Sequence, residues 1–111
     1  MICPRIALAT SSLKMITKWI EFTVKEDSID IFSKVMTGLE RESKVEQGCV
    51  LYGVYQSKDD ASLFTVLESW ATAEDLEAHR QAPHLKAFKT TCGDMILNKR
   101  ALELNALTKE K

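Results

Sequence analysis

The side chains of this sequence best suited to acid–base chemistry are two histidines, His79 and His84, the only imidazoles in the chain. Histidine titrates near neutral pH, so either ring could take a proton from a substrate as a general base. On an unbroken helix the two rings would lie about 140° apart. Pro83 breaks such a helix, because proline lacks an amide hydrogen and disfavours helix in the preceding residue. We therefore predict that the break brings both histidines to one pocket as catalytic groups; local packing or helix capping is the alternative.

A carboxylate and two tryptophans on predicted strands are candidates for substrate binding. Glu68 shares a strand face with apolar residues and Trp70, so its carboxylate needs a hydrogen-bond donor or a wet cavity. Arg80, Lys18 or a backbone amide could pair with it, which is the usual situation of a buried charge. Trp70 and Trp19 could each stack on a planar ligand, or else belong to the core.

Metal binding and disulfide formation receive little support from the sequence. No third ligand accompanies the two histidines at suitable spacing, so we predict no metal site. The three cysteines, Cys3, Cys49 and Cys92, are odd in number and form no CxxC or Cys/His pattern. Free thiols are typical of a reducing compartment, and we expect a cytoplasmic protein. Cys92 falls in an apolar helical stripe and is assigned to the core.

The charge pattern argues against nucleic acid and membrane partners. The formal net charge is -1, from 15 basic and 16 acidic residues. The densest basic stretches, 86–89 and 98–100, are short, whereas a duplex binder concentrates positive charge on one face. No apolar run approaches the roughly 20 residues that span a bilayer.

The length of 111 residues fits one domain, which we place at residues 15–107. Residues 1–14 contain no acidic residue and several small or hydroxyl side chains, a pattern with a faint likeness to a transit peptide. We interpret them as an N-terminal extension, with Met15 as an alternative start. Residues 108–111 form a polar C-terminal tail.

Hydrophobic periodicity places the candidate residues on strands and helices. The apolar face of the last helical segment continues through Met95 and Ile96, so we expect the helix to extend that far. The first half of the domain is predicted to contain a strand over 15–25, a helix capped by Asp27 or Ser28, and strands over Cys49–Gln56 and Leu63–Trp70. A second helix begins at Ala73, capped by Thr72, and restarts at Pro83, and a last strand covers residues 100–107.

The order β-α-β-β-α-β predicts an α+β fold of the ferredoxin-like type, a four-stranded antiparallel sheet with its helices on one face. The other sheet face would be bare. Residues 15–25 carry Ile20 and Phe22 on one side and Trp19 on the other, so both faces are partly apolar. A second copy would cover the bare face, and we predict a homodimer.

Three short motifs occur in order along the predicted domain. Residues 46–52 (EQGCVLY) fit the pattern E-x-G-C-x-x-Y at the start of the second strand, and residues 68–70 (ESW) fit E-x-W at the end of the third. Residues 74–88 (EDLEAHRQAPHLKAF) fit a helix with the pattern L-x-x-H-x-x-x-P-H-x-x-x-F. Together they resemble the antibiotic biosynthesis monooxygenase (ABM) family, and most of all its small quinol monooxygenase-like members.

The resemblance implies a dimeric α/β barrel that oxidises a quinol or polyphenol with O2, often without metal, flavin or haem. The substrate would lie between sheet and helices, with His79 and His84 as acid–base groups. Tyr52 matches the family's tyrosine, and its hydroxyl could hold a substrate oxygen; a half-buried tyrosine with a wet hydroxyl is the alternative. Glu68, Trp70 and Trp19 would help to bind a small aromatic or quinol ligand. We therefore expect a monooxygenase that needs no cofactor and uses O2 as co-substrate.

The family's diversity leaves other functions open, since a fold constrains the reaction weakly. Its haem-degrading branch has an asparagine in the first strand; residues 15–25 contain none, and Ile20 lies near that position. Haem ligation by His79 is therefore a weaker alternative. A non-catalytic small-molecule-binding dimer would bind aromatics without consuming oxygen, whereas an isomerase or lyase on a small oxygenated metabolite would turn over without oxygen.

Overall fold

The computed structural model describes residues 14–108, so residues 1–13 of the predicted extension and residues 109–111 of the tail lie outside it. The predicted element order is confirmed, with the second helix divided in two. The elements are β1 (Ile16–Val24), α1 (Ile29–Lys44), β2 (Cys49–Gln56), β3 (Leu63–Trp70), α2 (Ala73–Gln81), α3 (Pro83–Cys92) and β4 (Ile96–Leu104). None of the helices in this part of the chain is long and apolar enough to cross a bilayer.

The four strands form one antiparallel sheet in the order β2-β3-β1-β4. Ile20 of β1 pairs with Val66 of β3 and Ala101 of β4, so the three side chains share a face. The helices cover this face. The structure thus confirms the ferredoxin-like α+β fold.

Four phenylalanines join the helices to the sheet. Phe32 of α1 lies 4.9 Å from Phe64 of β3 between ring centroids, and 5.7 Å from Phe22 of β1. Phe88 of α3 completes the cluster, at 5.7 Å from Phe22. Each such pair contributes about 0.5–1.5 kcal/mol beyond simple burial. The cluster therefore fixes α1 and α3 over the centre of the sheet.

The turn between α1 and β2 is tied to the start of α2. Gly48 has a φ of 80°, and a Cβ there would lie 2.1 Å from the Asp75 side chain, so both conformation and space require glycine. The Gly48 carbonyl accepts the Ala71 amide at 2.8 Å. The predicted cap is confirmed, because Thr72 Oγ1 accepts the Asp75 amide at 3.0 Å. These contacts hold the turn against α2.

Two predicted details are wrong. The apolar stripe does not continue the helix to Ile96, because α3 ends at Cys92 and Ile96 begins β4 by pairing with Val24. The last strand therefore starts four residues before the predicted residue 100. The amides at the start of α1 also lack the predicted side-chain cap from Asp27 or Ser28. A 3-10 turn, Glu26–Ser28, leads into the helix instead.

Candidate active site

The interruption at Pro83 brings the two histidine rings close to each other, but not into the single pocket that the sequence predicts. Ala82 is extended, with ψ at 144°, and Pro83 opens α3 as its first residue. The chain therefore changes direction between His79 near the end of α2 and His84 at the start of α3. Their ring centroids lie 6.0 Å apart.

A carboxylate joins the two rings. Glu46, in the turn after α1, places one oxygen, Oε2, 2.7 Å from His79 Nδ1 and 2.5 Å from His84 Nε2. An ionised carboxylate only accepts hydrogen bonds, so both imidazole nitrogens donate to it. The three residues form a chain of side chains, His84–Glu46–His79, which we call the triad.

This arrangement leaves the second nitrogen of His79 free to act as a base. With the proton on Nδ1, a neutral ring carries its lone pair on Nε2. The ring is buried, at 2% exposure, and lies against Trp70 at 4.5 Å between centroids. Tyr52 meets it edge-on at 5.6 Å. Packing on two sides therefore fixes the orientation of His79.

Glu68 pairs differently from the prediction. Its Oε1 accepts a hydrogen bond from Trp70 Nε1 at 2.6 Å and lies 3.8 Å from His79 Nε2. Within residues 14–108, neither Lys18 nor Arg80 comes within 4 Å of this carboxylate. The structure therefore provides the buried carboxyl group with an indole donor instead of a lysine or arginine.

A cavity between the sheet and the helices opens onto this pair. Its enclosed volume is about 180 Å³. Glu68, His79 and Tyr52 lie along its wall. Most of the remaining lining is apolar and comes from both layers, namely Ile20, Phe22, Met36, Leu39, Val66, Leu76, Leu85 and Phe88. The arrangement can accept a flat apolar ring with a hydroxyl at His79.

The two tyrosines of β2 lie on opposite faces of the sheet, with Tyr52 buried on the cavity side and Tyr55 exposed. Burial, and secondarily the negative charge of Glu68, raise the pKa of the Tyr52 hydroxyl above its usual value of about 10. Tyr52 is therefore neutral over the physiological range. It can hold a substrate oxygen but is unsuited to act as a base.

The raised pKa of Tyr52 predicts a delayed titration and a loss of stability in alkali. In Tyr55→Phe, Tyr52 is the only tyrosine left. Its 295 nm phenolate band should be absent at about pH 11, because an unfolded tyrosine ionises near 10 but the folded one does not. Since the folded pKa is the higher one, the contribution of Tyr52 to the free energy of unfolding should be constant below about pH 10 and fall above it, by about 1.4 kcal/mol per pH unit.

Urea unfolding at pH 8 and at about pH 11 measures this loss. A Tyr52→Phe/Tyr55→Phe variant is the control, and it should lose less stability over the same interval. A phenolate band that develops near pH 10 while the far-UV spectrum stays native would show that Tyr52 is not shielded.

The other predicted site residues do not line the cavity. Trp70 is fully buried behind His79. His84 lines a separate cleft between α1 and α3, on the other side of Glu46. Trp19 lies on the opposite sheet face, where Nε1 donates to Glu21 Oε2 at 3.0 Å. His79, Glu68 and Tyr52 are thus the predicted residues that the structure brings to one cavity.

The triad also has the composition of a metal site. Glu46, His79 and His84 offer three ligand atoms within 4.8 Å of one another. Two imidazoles and a carboxylate are a donor set found around divalent transition metals. In this structure hydrogen bonds join the same atoms, and a cation would have to displace both N–H protons. The sequence suggested no third ligand because Glu46 precedes His79 by 33 residues.

The two cysteines in the described part of the chain are free. Cys92 is fully buried, as expected for a core residue, and Cys49 is partly buried. Desolvation raises the pKa of both thiols, which disfavours the reactive thiolate. Cys3 lies outside the described residues. Neither described thiol is therefore an activated nucleophile.

Glu46 is the functional candidate that sequence reasoning missed. It was noted only as the first residue of the EQGCVLY motif, although that motif was the signal that could have identified it. Its role depends on contact with His79 and His84, and nothing in its local sequence shows this contact.

Comparison with solved structures shows the same fold over nearly the whole domain. A protein from Pseudomonas aeruginosa gives a TM-score of 0.80 at 23% identity, covering 86% of this chain and 98% of that one. One from Mycobacterium tuberculosis gives 0.80 at 18% identity, covering 88% and 100%. A structure described as an antibiotic biosynthesis monooxygenase gives 0.79 at 17% identity, covering 84% and 99%. No curated protein sequence gives a significant match.

The sequence profile of one family matches most of the chain. The family is described as antibiotic biosynthesis monooxygenase, and the match covers residues 15–91. That segment contains the cavity residues Glu68 and His79 and the complete triad. The chain belongs to the antibiotic biosynthesis monooxygenase family.

Proposed function

We propose that this protein is a cofactor-independent monooxygenase that oxidises a quinol or polyphenol with O2. One observation carries the proposal: His79 lines a ring-sized cavity while Glu46 holds its Nδ1 at 2.7 Å, so Nε2 is the ring nitrogen left for a substrate hydroxyl. An imidazole oriented by a carboxylate is a recurrent form of general base.

The first step is removal of a proton from a ring hydroxyl. Nε2 of His79 accepts this proton, and the negative charge of Glu46 stabilises the imidazolium that results. His84 holds the same carboxylate oxygen from the other side, at 2.5 Å, and acts as a positioning residue. Tyr52, neutral and buried beside His79, can hold a second oxygen of the ring.

Deprotonation makes the ring electron-rich enough to reduce oxygen. The quinolate transfers electrons to O2, and one oxygen atom becomes bonded to a ring carbon that loses its hydrogen. The second oxygen atom leaves as water. The balanced reaction is quinol plus O2 to hydroxyquinone plus water, and it requires no external reductant.

The size of the cavity supports a single-ring substrate. A dry cavity of roughly 150 Å³ is known to hold benzene, and the enclosed volume here is about 180 Å³. A porphyrin is several times larger, so the dimensions favour the cofactor-free proposal over haem binding. The apolar part of the lining would shield one side of the ring from water and strengthen the electrostatic effect of Glu46 and His79 there.

Oxygen consumption tests the proposal directly. After dialysis against EDTA, the purified protein should consume O2 with a panel of para-quinols well above the rate of uncatalysed autoxidation. Mass spectrometry after turnover in ¹⁸O2 should find one labelled oxygen atom in the product. Activity that EDTA abolishes and Fe²⁺ restores would assign the triad to a metal instead. Anaerobic conversion would favour an isomerase or lyase, and binding without oxygen uptake would favour a binding protein.

We further propose that the protein acts as a homodimer. The sheet face away from the helices carries Trp19, Leu51, Tyr55 and Leu102, placed there by the strand register. Leu51, Tyr55 and Leu102 are 41%, 55% and 39% exposed. Exposed apolar side chains grouped on one sheet face are typical of an interface with another chain. A second copy would bury it and close the two sheets into a barrel.

A further inference from the structure

Positive charge surrounds the cavity that holds His79. Its lining includes four cationic side chains, Lys18, Arg80, Lys89 and Lys99, and only one carboxylate, Glu68. The chain as a whole has a net charge of -1, so this concentration of positive charge is local. The cations come from both layers: Lys18 and Lys99 from the sheet, Arg80 from α2 and Lys89 from α3. They therefore converge on the cavity from opposite sides.

Most of these charges form no direct ion pair in the described part of the chain. Within residues 14–108, no carboxylate oxygen comes within 4 Å of the Lys18, Lys89 or Lys99 ammonium groups. Arg80 has one partner, the exposed Glu77 at 3.3 Å. Lys99 lies over the Phe22 ring, 5.9 Å from its centroid, which holds its ammonium against the cavity wall. The free cations at the cavity are therefore available to a ligand.

The position of these groups relative to the base restricts what they can bind. Lys18 lies directly opposite Glu68 on the neighbouring strand, one strand spacing away. The Glu68 carboxylate in turn lies beside His79 Nε2. Arg80 follows His79 in the chain. An aromatic ring that donates its hydroxyl proton to His79 would thus have its other substituents within reach of the cations.

We infer that the natural substrate is an anionic quinol, a dihydroxylated aromatic ring that carries a carboxylate. The ring occupies the apolar cavity with one hydroxyl at His79, and its carboxylate binds among Lys18, Arg80, Lys89 and Lys99. This inference rests on the proposed function for the ring hydroxyls, but the preference for an anion stands on the charge distribution alone. Clustered cations in a low-dielectric cleft also attract an anion from solution and accelerate its capture.

Binding measured under nitrogen tests the inference separately from turnover. The probes are 2,5-dihydroxybenzoate and its neutral analogue 2,5-dihydroxybenzamide, compared by isothermal titration calorimetry. Three or four exposed ion pairs of ordinary strength together give roughly a 10- to 100-fold tighter Kd for the acid. This preference should shrink as ionic strength rises, because salt screens exposed charges.

Two double variants test whether the preference for the acid arises at the cavity. In Lys89→Gln/Lys99→Gln the preference should fall by roughly 3- to 10-fold, since two of the four cations are removed. Lys34→Gln/Lys86→Gln removes the same charge from exposed helix positions outside the cavity and should keep the full preference. Both variants keep His79, Glu46 and Glu68, and thermal unfolding would establish that each is folded at the temperature of the titration.

Equal affinity for acid and amide, or no detectable binding of the acid at millimolar concentration, would overturn the inference. An equal loss of preference in both double variants would also overturn it, since the effect would then come from net charge. A preserved anion preference without oxygen uptake would retain the anionic subsite and reject the monooxygenase. Oxygen uptake that is equally fast with both probes would retain the monooxygenase and reject the anionic subsite.

Discussion

His79→Ala is expected to lower kcat/KM for quinol oxidation by roughly 10²–10⁴-fold, the usual contribution of a general base. Nε2 of His79 is the imidazole nitrogen that faces the cavity, and Tyr52, neutral because of its raised pKa, cannot replace it as a base. His79→Gln is the closer variant, because it keeps an amide near Glu46 but cannot accept a proton. Oxygen electrode rates across a range of pH measure the loss.

His84→Ala serves as the matched comparison. His84 contacts the same Glu46 oxygen but lines a different cleft, so its removal should cost less, on the order of 10-fold. Circular dichroism and thermal unfolding would establish that each variant is folded. If His79→Gln kept activity within about 3-fold of the parent protein, a range too small for a general base, the proposed role would fail.

Leu102→Glu is expected to convert the protein from a dimer to a monomer. Leu102 lies on the bare sheet face beside Trp19 and is 39% exposed in the single chain. A glutamate there can reach water in a monomer, so the fold should tolerate it. In a dimer the charge would be buried without a partner, and truncated or unpaired charges at interfaces typically cost about 2–5 kcal/mol. That cost corresponds to a dissociation constant raised by roughly 30- to 5,000-fold.

Analytical ultracentrifugation of the parent protein and the variant would measure the change in mass. Ile31→Glu is the control: Ile31 is 53% exposed on α1, in the layer that covers the opposite sheet face. It should leave the dimer intact. A parent protein that sediments as a monomer at micromolar concentration, or a Leu102→Glu variant that remains dimeric, would disprove the proposed interface.

The sequence predicted the elements that carry their own local signals. Alternating apolar residues placed β2 and β3 at the bounds that the structure has, and Thr72 correctly identified the start of α2. These features depend on side chains a few residues apart. The same local reasoning failed at β4, because Met95 and Ile96 also suit a helical stripe. Only pairing with Val24, 72 residues before Ile96, makes that segment a strand.

The candidate site likewise combines features that neighbouring residues predict with features that depend on tertiary packing. The break at Pro83 is local, and it led correctly to the approach of His79 and His84. Arg80 and Lys18 were reasonable partners for Glu68 by charge alone, but the fold places Trp70 Nε1 at 2.6 Å instead. Partner choice at a buried carboxylate depends on which donor the packing brings into hydrogen-bond range, and composition does not specify this.

By itself, the sequence determined the order of strands and helices, the ferredoxin-like fold and the two histidines at a helix break. Only the tertiary structure decided that Glu46 joins them, across 33 residues to His79 and 38 to His84. It also decided that His79 and not His84 faces the cavity, and that Trp19 lies on the other side of the sheet. Periodicity and capping are properties of neighbouring residues, whereas a site assembled from distant turns exists only after the chain has packed.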